Sequence, residues 1–297
     1  MRHAPAMISL HVAVALFGFA ALFGKWIALP ATAIVLARTA IAAATLAVVA
    51  SLRHQSLRHP GRDLVLNGPL LALHWVSFFA AVQLANVAVA LLGYASFPVF
   101  VLVLERGLRA RAMRFVEYGT ALLATLGLAT LVVDVSWSSN ATRGLALGLV
   151  SALTFALLVV RNRRFVAARS ATCIAMWQNL VAAVCLLPIV ALAHGMAAWP
   201  RRSDIASLLV LGVACTGLAH MLFIASMRRV SAHSASVVAS LEPVYGIALA
   251  AWLLGEMPNG RTIAGGVLIV AAALIASQES GVGDARAVSV ASTPRDE

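Results

Sequence analysis

The chain has 297 residues, 62% of them hydrophobic and 11% charged, with a formal charge of +11. Soluble domains carry about 45–50% apolar and about 25% charged residues, so an ordinary soluble globule is excluded. The positive charge would suit a nucleic-acid partner in a soluble protein. Here it falls in the polar breaks between apolar runs, where it sets topology, and no nucleic acid is expected.

Runs of roughly 20 apolar residues, at about 1.5 Å per residue, span a hydrocarbon layer of about 30 Å. Backbone polar groups in lipid must be bonded within the segment, so the runs read as helices; nothing alternates as barrel strands do. In chain order the predicted spans are 7–27, 32–52, 64–85, 88–106, 114–133, 143–161, 172–193, 205–226, 232–254 and 261–278. Pro30 ends the first, and Trp199, Pro200 and Arg201 divide the seventh from the eighth. The polar tail 279–297 is predicted to be disordered. Ala31-Thr32-Ala33 resembles a signal-peptidase site, but the preceding run is longer than a signal core and its loss would leave nine spans. Cys173, Cys185 and Cys215 lie inside apolar runs without metal spacing and read as small buried residues.

With the N-terminus in the cytoplasm, sixteen of the 22 Lys and Arg residues fall inside; Lys25, Arg38, Arg143, Arg201, Arg202 and Arg261 fall outside. Cytoplasmic loops carry this excess. An even span count returns the C-terminus to the same side, predicting a multi-pass bacterial inner-membrane protein with both termini cytoplasmic. Arg38, at the outer opening of the second span, is expected to snorkel to the headgroups.

Residues 80–133 and 225–278 align at an offset of 145, placing Ala80 on Ala225, Ala90 on Ala235, Ala95 on Ser240 and Pro98 on Pro243. The predicted fold is therefore an all-α membrane protein whose ten transmembrane helices form two inverted five-helix repeats. The divisions are 1–134 for the first repeat, 135–142 for a linker, 143–278 for the second repeat and 279–297 for a cytoplasmic tail. In transporters such symmetry puts the substrate site near the midplane, where the halves meet.

Leu241-Glu242-Pro243-Val244, Ala251-Trp252-Leu253-Leu254-Gly255-Glu256 and Ile263-Ala264-Gly265-Gly266-Val267-Leu268-Ile269 resemble the LEPV, LLGE and GxxLI pattern of the drug/metabolite transporter superfamily, in its ten-helix EamA-type branch. Ser96-Phe97-Pro98-Val99-Phe100 is similar to the family's SP signature in the fourth helix. The pattern departs after that helix: Arg111 aligns with Glu256, and Glu105 lies earlier. Within the branch, the apolar and aromatic lining resembles YddG-type amino-acid exporters. The resemblance implies a central cavity lined by the first, third, fourth, sixth, eighth and ninth spans. It leaves the fifth and tenth packed outside and the seventh peripheral. It also implies alternating access by rocking of the halves.

His74, Ser77 and Phe78 share one face of the third span, and His220 lies near the symmetry-related position of the eighth. They read as cavity lining or as interhelical hydrogen-bond partners. Glu242 is a mid-membrane carboxylate, which needs a partner or a proton there; it reads as a proton-coupling or substrate-amine site, or as support for a helix break at Pro243. Pro98 and Pro243 are predicted hinges or fixed bends. Phe17, Tyr94, Phe97 and Phe155 suit stacking on an apolar or aromatic ligand, or else face lipid, and Ser240 precedes Pro243. Trp26, Trp137, Trp199 and Trp252 suit an interfacial belt. Gly144 and Gly148 suit close helix packing.

No HExxH, P-loop or GxSxG motif is present, and no cofactor or metal is implied. The expected function is a secondary transporter, not an enzyme, that exports small metabolites, foremost amino acids, as a monomer in the lipid bilayer. Phosphorylated anions are disfavoured by the lack of a mid-membrane cation. The rivals are a lipid-acting enzyme with His74, His220 and Glu242 as its acid/base set, another drug/metabolite carrier of different substrate, and a channel or receptor.

Overall fold

The computed structural model describes residues 4–57, 60–109, 139–195, 200–230 and 241–272, with isolated positions between 115 and 130 and at 235, 238, 239, 274 and 275. Among the described residues every regular element is helical. Seven helices are long and apolar enough to cross a membrane: α1 (Pro5–Trp26), α2 (Ala31–Leu52), α3 (Gly61–Leu84), α4 (Val87–Glu105), α5 (Asn140–Phe165), α6 (Ala171–His194) and α7 (Arg202–Ser226). Two shorter apolar helices follow, α8 (Glu242–Leu254) and α9 (Gly260–Ala272). These match predicted spans one to four, six to eight, the end of the ninth and most of the tenth. Most of the predicted fifth span, with Arg111, Trp137, Trp199 and Ser240, lies outside the described residues.

Helices from the two halves of the chain interleave. α5 packs on α3 and α4, α6 on α2 and α3, α7 on α1 and α2, and α8 on α1 and α4. Small residues allow the closest approaches. The Cα atoms of Gly93 and Gly148 oppose one another where α4 meets α5, and a Cβ on Gly148 would lie 3.1 Å from the Gly93 Cα. Where α1 meets α8, a Cβ on Gly18 would lie 3.0 Å from the Gly246 amide nitrogen. Gly144 abuts Ala85, so the predicted small-residue pair does serve helix packing.

Several helices are broken, and the breaks position the site. In α4 the helix stops at Tyr94, turns through Ala95 and Ser96, and restarts at Phe97. In α8 the helical segment starts at Glu242 after a turn at Leu241. Pro98 and Pro243 each occupy the second position of the restarted segment. The sequence places both prolines inside a helix, where each removes a backbone bond; the structure places them in a first turn, where that N–H has no intrahelical partner anyway. In α7, Val213–Leu218 forms a π-helical turn between Arg202–Gly212 and Ala219–Ser226.

Candidate functional site

The helix breaks surround a buried polar centre. His74 on α3 is 2% exposed, and its Nδ1 lies 2.9 Å from Ser151 Oγ and 3.0 Å from the Ser151 carbonyl oxygen on α5. His220, just past the π turn of α7, has its Nδ1 3.3 Å from Asn179 Nδ2 on α6. Glu242 at the start of α8 is buried, with the Tyr94 side chain of α4 beside it. Its carboxyl oxygen Oε2 has no hydrogen-bond partner among the described residues.

The sequence places Arg38 at the headgroups, and the structure overturns this. Arg38 is fully buried, about 10 Å along α2 from Ala31 at about 1.5 Å per residue. Its Nε donates to Thr216 Oγ1 at 2.8 Å and its Nη2 to the Cys215 carbonyl at 3.4 Å. Its guanidinium lies 3.6 Å above the Trp75 ring centroid and 5.0 Å from that of Phe79. Such stacking suits a planar, weakly hydrated cation. Cys215 and Thr216 belong to the π turn, whose wider winding offers a carbonyl and a hydroxyl to a neighbouring helix. Gly212 lets α2 approach, since a Cβ there would lie 2.6 Å from Ile41. Arg38 therefore ends in the protein interior because α7 supplies acceptors that lipid lacks. Removing it from the outer loop charges leaves five there.

Arg38 is within electrostatic range of Glu242, His74 and His220, but no ion pair joins it to Glu242. Its Nη1 has no hydrogen-bond partner among the described residues.

Aromatic rings wrap this centre. Ring centroids are 6.1 Å apart for Phe17 and Trp75, 5.8 Å for Phe17 and Phe223, and 5.5 Å for Phe223 and Phe155. Phe155 stacks on His74 at 4.9 Å, Tyr94 stacks on Phe97 at 5.1 Å, and Phe78 meets Tyr94 edge-on at 5.8 Å. Phe17, Phe78, Tyr94, Phe97 and Phe155 are thus interior residues and do not face lipid. Ser77 is buried too, but its hydroxyl donates to the Leu73 and His74 carbonyls of its own helix. None of Phe17, His74, Ser77, Phe78, Tyr94, Phe97, Phe155, His220 and Glu242 exceeds 3% exposure, so the centre is closed to both faces.

Sequence reasoning misses Arg38, Trp75, Ser151, Asn179, Thr216 and Phe223. Phe223 carries a readable signal, sitting three residues from His220 and hence on its face. Gln178 and Asn179 on α6 are both fully buried, and Gln178 Nε2 donates to Asn162 Oδ1 on α5. His74 and His220 are held by different helices, α5 and α6, and no hydrogen bond links any two of His74, His220 and Glu242. A separate apolar hollow of about 270 Å³ lies between α4, α8 and α9, with Leu92, Pro243, Ile247 and Thr262 on its walls.

Each face carries polar ties between helices. On one, Glu256 Oε2 accepts from the Val87 amide at 3.0 Å while Lys25 Nζ lies 3.9 Å from Oε1. On the other, Arg161 donates to the Asp63 carbonyl and to Asn67 Oδ1, and Arg163 donates to the Met227 carbonyl.

Residues 142–278 match the EamA-like transporter family. An uncharacterized transporter of Archaeoglobus fulgidus is 28% identical over 203 residues, covering 68% of this chain and 72% of its own. The uncharacterized transporter YxxF of Bacillus subtilis is 23% identical over 277 residues, covering 90% and 87%. Residues 142–278 thus carry an EamA-like domain, and with these relatives it makes the chain a membrane transporter. The family match takes in α5 to α9, hence His220, Glu242 and Glu256. A protein of known crystal structure superposes on the transporter with a TM-score of 0.69 at 21% identity, over 92% of this chain and 98% of that one, which establishes a shared fold.

Proposed function

We propose that this transporter is a secondary carrier that exports small metabolites, foremost amino acids with aromatic or apolar side chains. In this reading two inverted five-helix halves open the central site to each side in turn, and the arginine-rich face of Arg161, Arg163 and Arg228 is cytoplasmic in a bacterial inner membrane. One observation carries the proposal: a polar centre wrapped in aromatic rings and built from helices of both halves, shut from both faces at once. Relative motion of the halves at that seam is the simplest way to connect it with water. Tyr94, Phe97, Phe155 and Phe17 would receive the apolar part of the solute; His74, His220 and Glu242 would meet its polar ends. A lipid-acting enzyme is disfavoured, because His74 and His220 are tied to different partners and no hydrogen bond links them to Glu242.

Arg38 removes the argument that phosphorylated anions lack a cation in the core.

Reconstitution in liposomes with a panel of labelled amino acids tests the reading. Saturable, protein-dependent flux of aromatic or branched members is the expected result; no flux of any removes it. Repeating the flux across a pH gradient, with wild type and Glu242→Gln, tests coupling: a pH response lost in the variant assigns the carboxyl to proton movement, and an unchanged response assigns it to structure.

A further inference from the structure

We propose that Arg38 and Glu242 are the two poles of a site selective for zwitterions, with Arg38 Nη1 receiving the substrate's carboxylate and Glu242 Oε2 its ammonium group. The inference rests on the amino-acid reading above and narrows it to the chemistry that is recognised. Its basis is a pairing of two unmet needs. Arg38 is fully buried and held on three sides, by Thr216, by the Cys215 carbonyl and by the Trp75 ring, which leaves Nη1 as the edge of a fixed guanidinium that has no partner among the described residues. Glu242 is 3% exposed, lies beside Tyr94, and keeps Oε2 without a partner among the described residues. Buried charges are normally paired and fully hydrogen-bonded, because leaving one lone pair or N–H unmet forfeits the hydration it had in water. These two lie within electrostatic range and yet do not pair.

A solute that brings an anion to one and a cation to the other satisfies both without adding net charge to the core. Planar guanidinium groups match carboxylates, and a carboxylate accepts readily from an ammonium group. The rings link the poles. Trp75 beneath Arg38 touches Phe17; Phe17 touches Phe223, Phe223 touches Phe155, and Phe155 touches Tyr94, the neighbour of Glu242. An apolar side chain attached between the ammonium and carboxylate groups would rest on that wall. A lone carboxylic acid or a lone amine would leave one buried pole unmatched. Sites built around hydrogen-bonded polar groups reject such analogues far more strongly than an apolar pocket rejects a missing methylene.

The test uses three solutes on one skeleton, phenylalanine, 3-phenylpropionate and phenethylamine, and repeats the set with leucine, 4-methylpentanoate and isoamylamine. Fluxes are measured in proteoliposomes for wild type, Arg38→Gln, Arg38→Lys and Glu242→Gln. Wild type is expected to favour the amino acid over both analogues by about a hundredfold or more. Arg38→Gln should lower amino-acid flux by about tenfold to a hundredfold while sparing the amine, so that this preference collapses. Glu242→Gln should collapse the preference over the acid in the same way. Arg38→Lys keeps a cation in the core and should retain part of the selectivity, which provides a reading if Arg38→Gln does not fold. Wild type that moves acid or amine as fast as the amino acid overturns the proposal and leaves the amino-acid reading standing. So do variants that slow all three solutes by one common factor, the mark of a structural role. Wild type that moves neither amino acid overturns the amino-acid reading itself, and this proposal with it.

Discussion

The Glu256 carboxylate accepts a hydrogen bond from the backbone N–H of Val87 at 3.0 Å, so a residue that follows α8 satisfies the first turn of α4. Asn86 caps the same turn by accepting from the Val89 amide at 2.8 Å. Helix starts carry unsatisfied N–H groups and a partial positive charge, which a carboxylate answers well. The Glu of the LLGE pattern thus ties the second half of the chain to the first at one face. Lys25 adds a partly exposed ion pair at 3.9 Å, of a kind that contributes little by itself.

Glu256→Ala is therefore expected to loosen this face and Lys25→Ala to do so much less. With Cys173 and Cys185 replaced by Ala, the buried Cys215 becomes a reporter beside Arg38. Maleimide modification of Cys215 should accelerate by about fivefold in Glu256→Ala, the effect of losing about 1 kcal/mol of capping. An unchanged rate would show that this contact does not hold the face shut.

Gly148→Ala should destabilise the fold by about 1–3 kcal/mol, because the added methyl would meet backbone at 3.1 and 3.2 Å and α4 must move away from α5. Gly260→Ala is the control: nothing lies within 4 Å of its Cβ position, and no stability should be lost. Thermal unfolding in detergent separates the two; equal behaviour would mean that the Gly93–Gly148 contact does not set the α4–α5 distance.

His74 joins two effects that paired variants can separate. His74→Phe keeps a ring beside Phe155 and Tyr94 but leaves Ser151 without its partner, and should cost about 1–3 kcal/mol. His74→Ala also leaves a void among the rings, adding a further 1–3 kcal/mol or so. Denaturant unfolding measures both. A His74→Phe variant as unstable as His74→Ala would assign the whole contribution to the hydrogen bond.

Pro243 lies in the first turn of α8, where its ring fits helix geometry. Pro243→Ala is expected to change stability by less than about 1 kcal/mol. It also removes the steric bar to continuing the helix through Leu241, so flux should fall more than stability does. Normal flux in a stable variant would make Pro243 a packing residue alone.

Much of this architecture is legible in one dimension. Each apolar run is long enough to cross lipid and must bond its own backbone, so composition and run length suffice to place α1 to α7. The three- and four-residue spacing of His74, Ser77 and Phe78 is local as well, and all three are buried. The fate of Ser77 was not legible, because its hydroxyl can bond its own helix or another with equal local geometry. The bends near Pro98 and Pro243 were anticipated, yet their form was not: a proline bends a continuous helix or opens a new one according to what meets the freed backbone groups.

Arg38 marks the boundary most clearly. By sequence it is one arginine in an apolar run near an outer loop, and the lowest-cost position for a lone cation there is the headgroup layer. Only the fold brings to it the Thr216 hydroxyl, the Cys215 carbonyl and the face of Trp75, from two other helices. Hydrophobicity along the chain determined that this protein crosses a membrane, because burial of apolar surface depends on composition and run length. Which charge entered the core was decided by tertiary structure, because the free energy of a buried ion depends on partners that are distant in sequence.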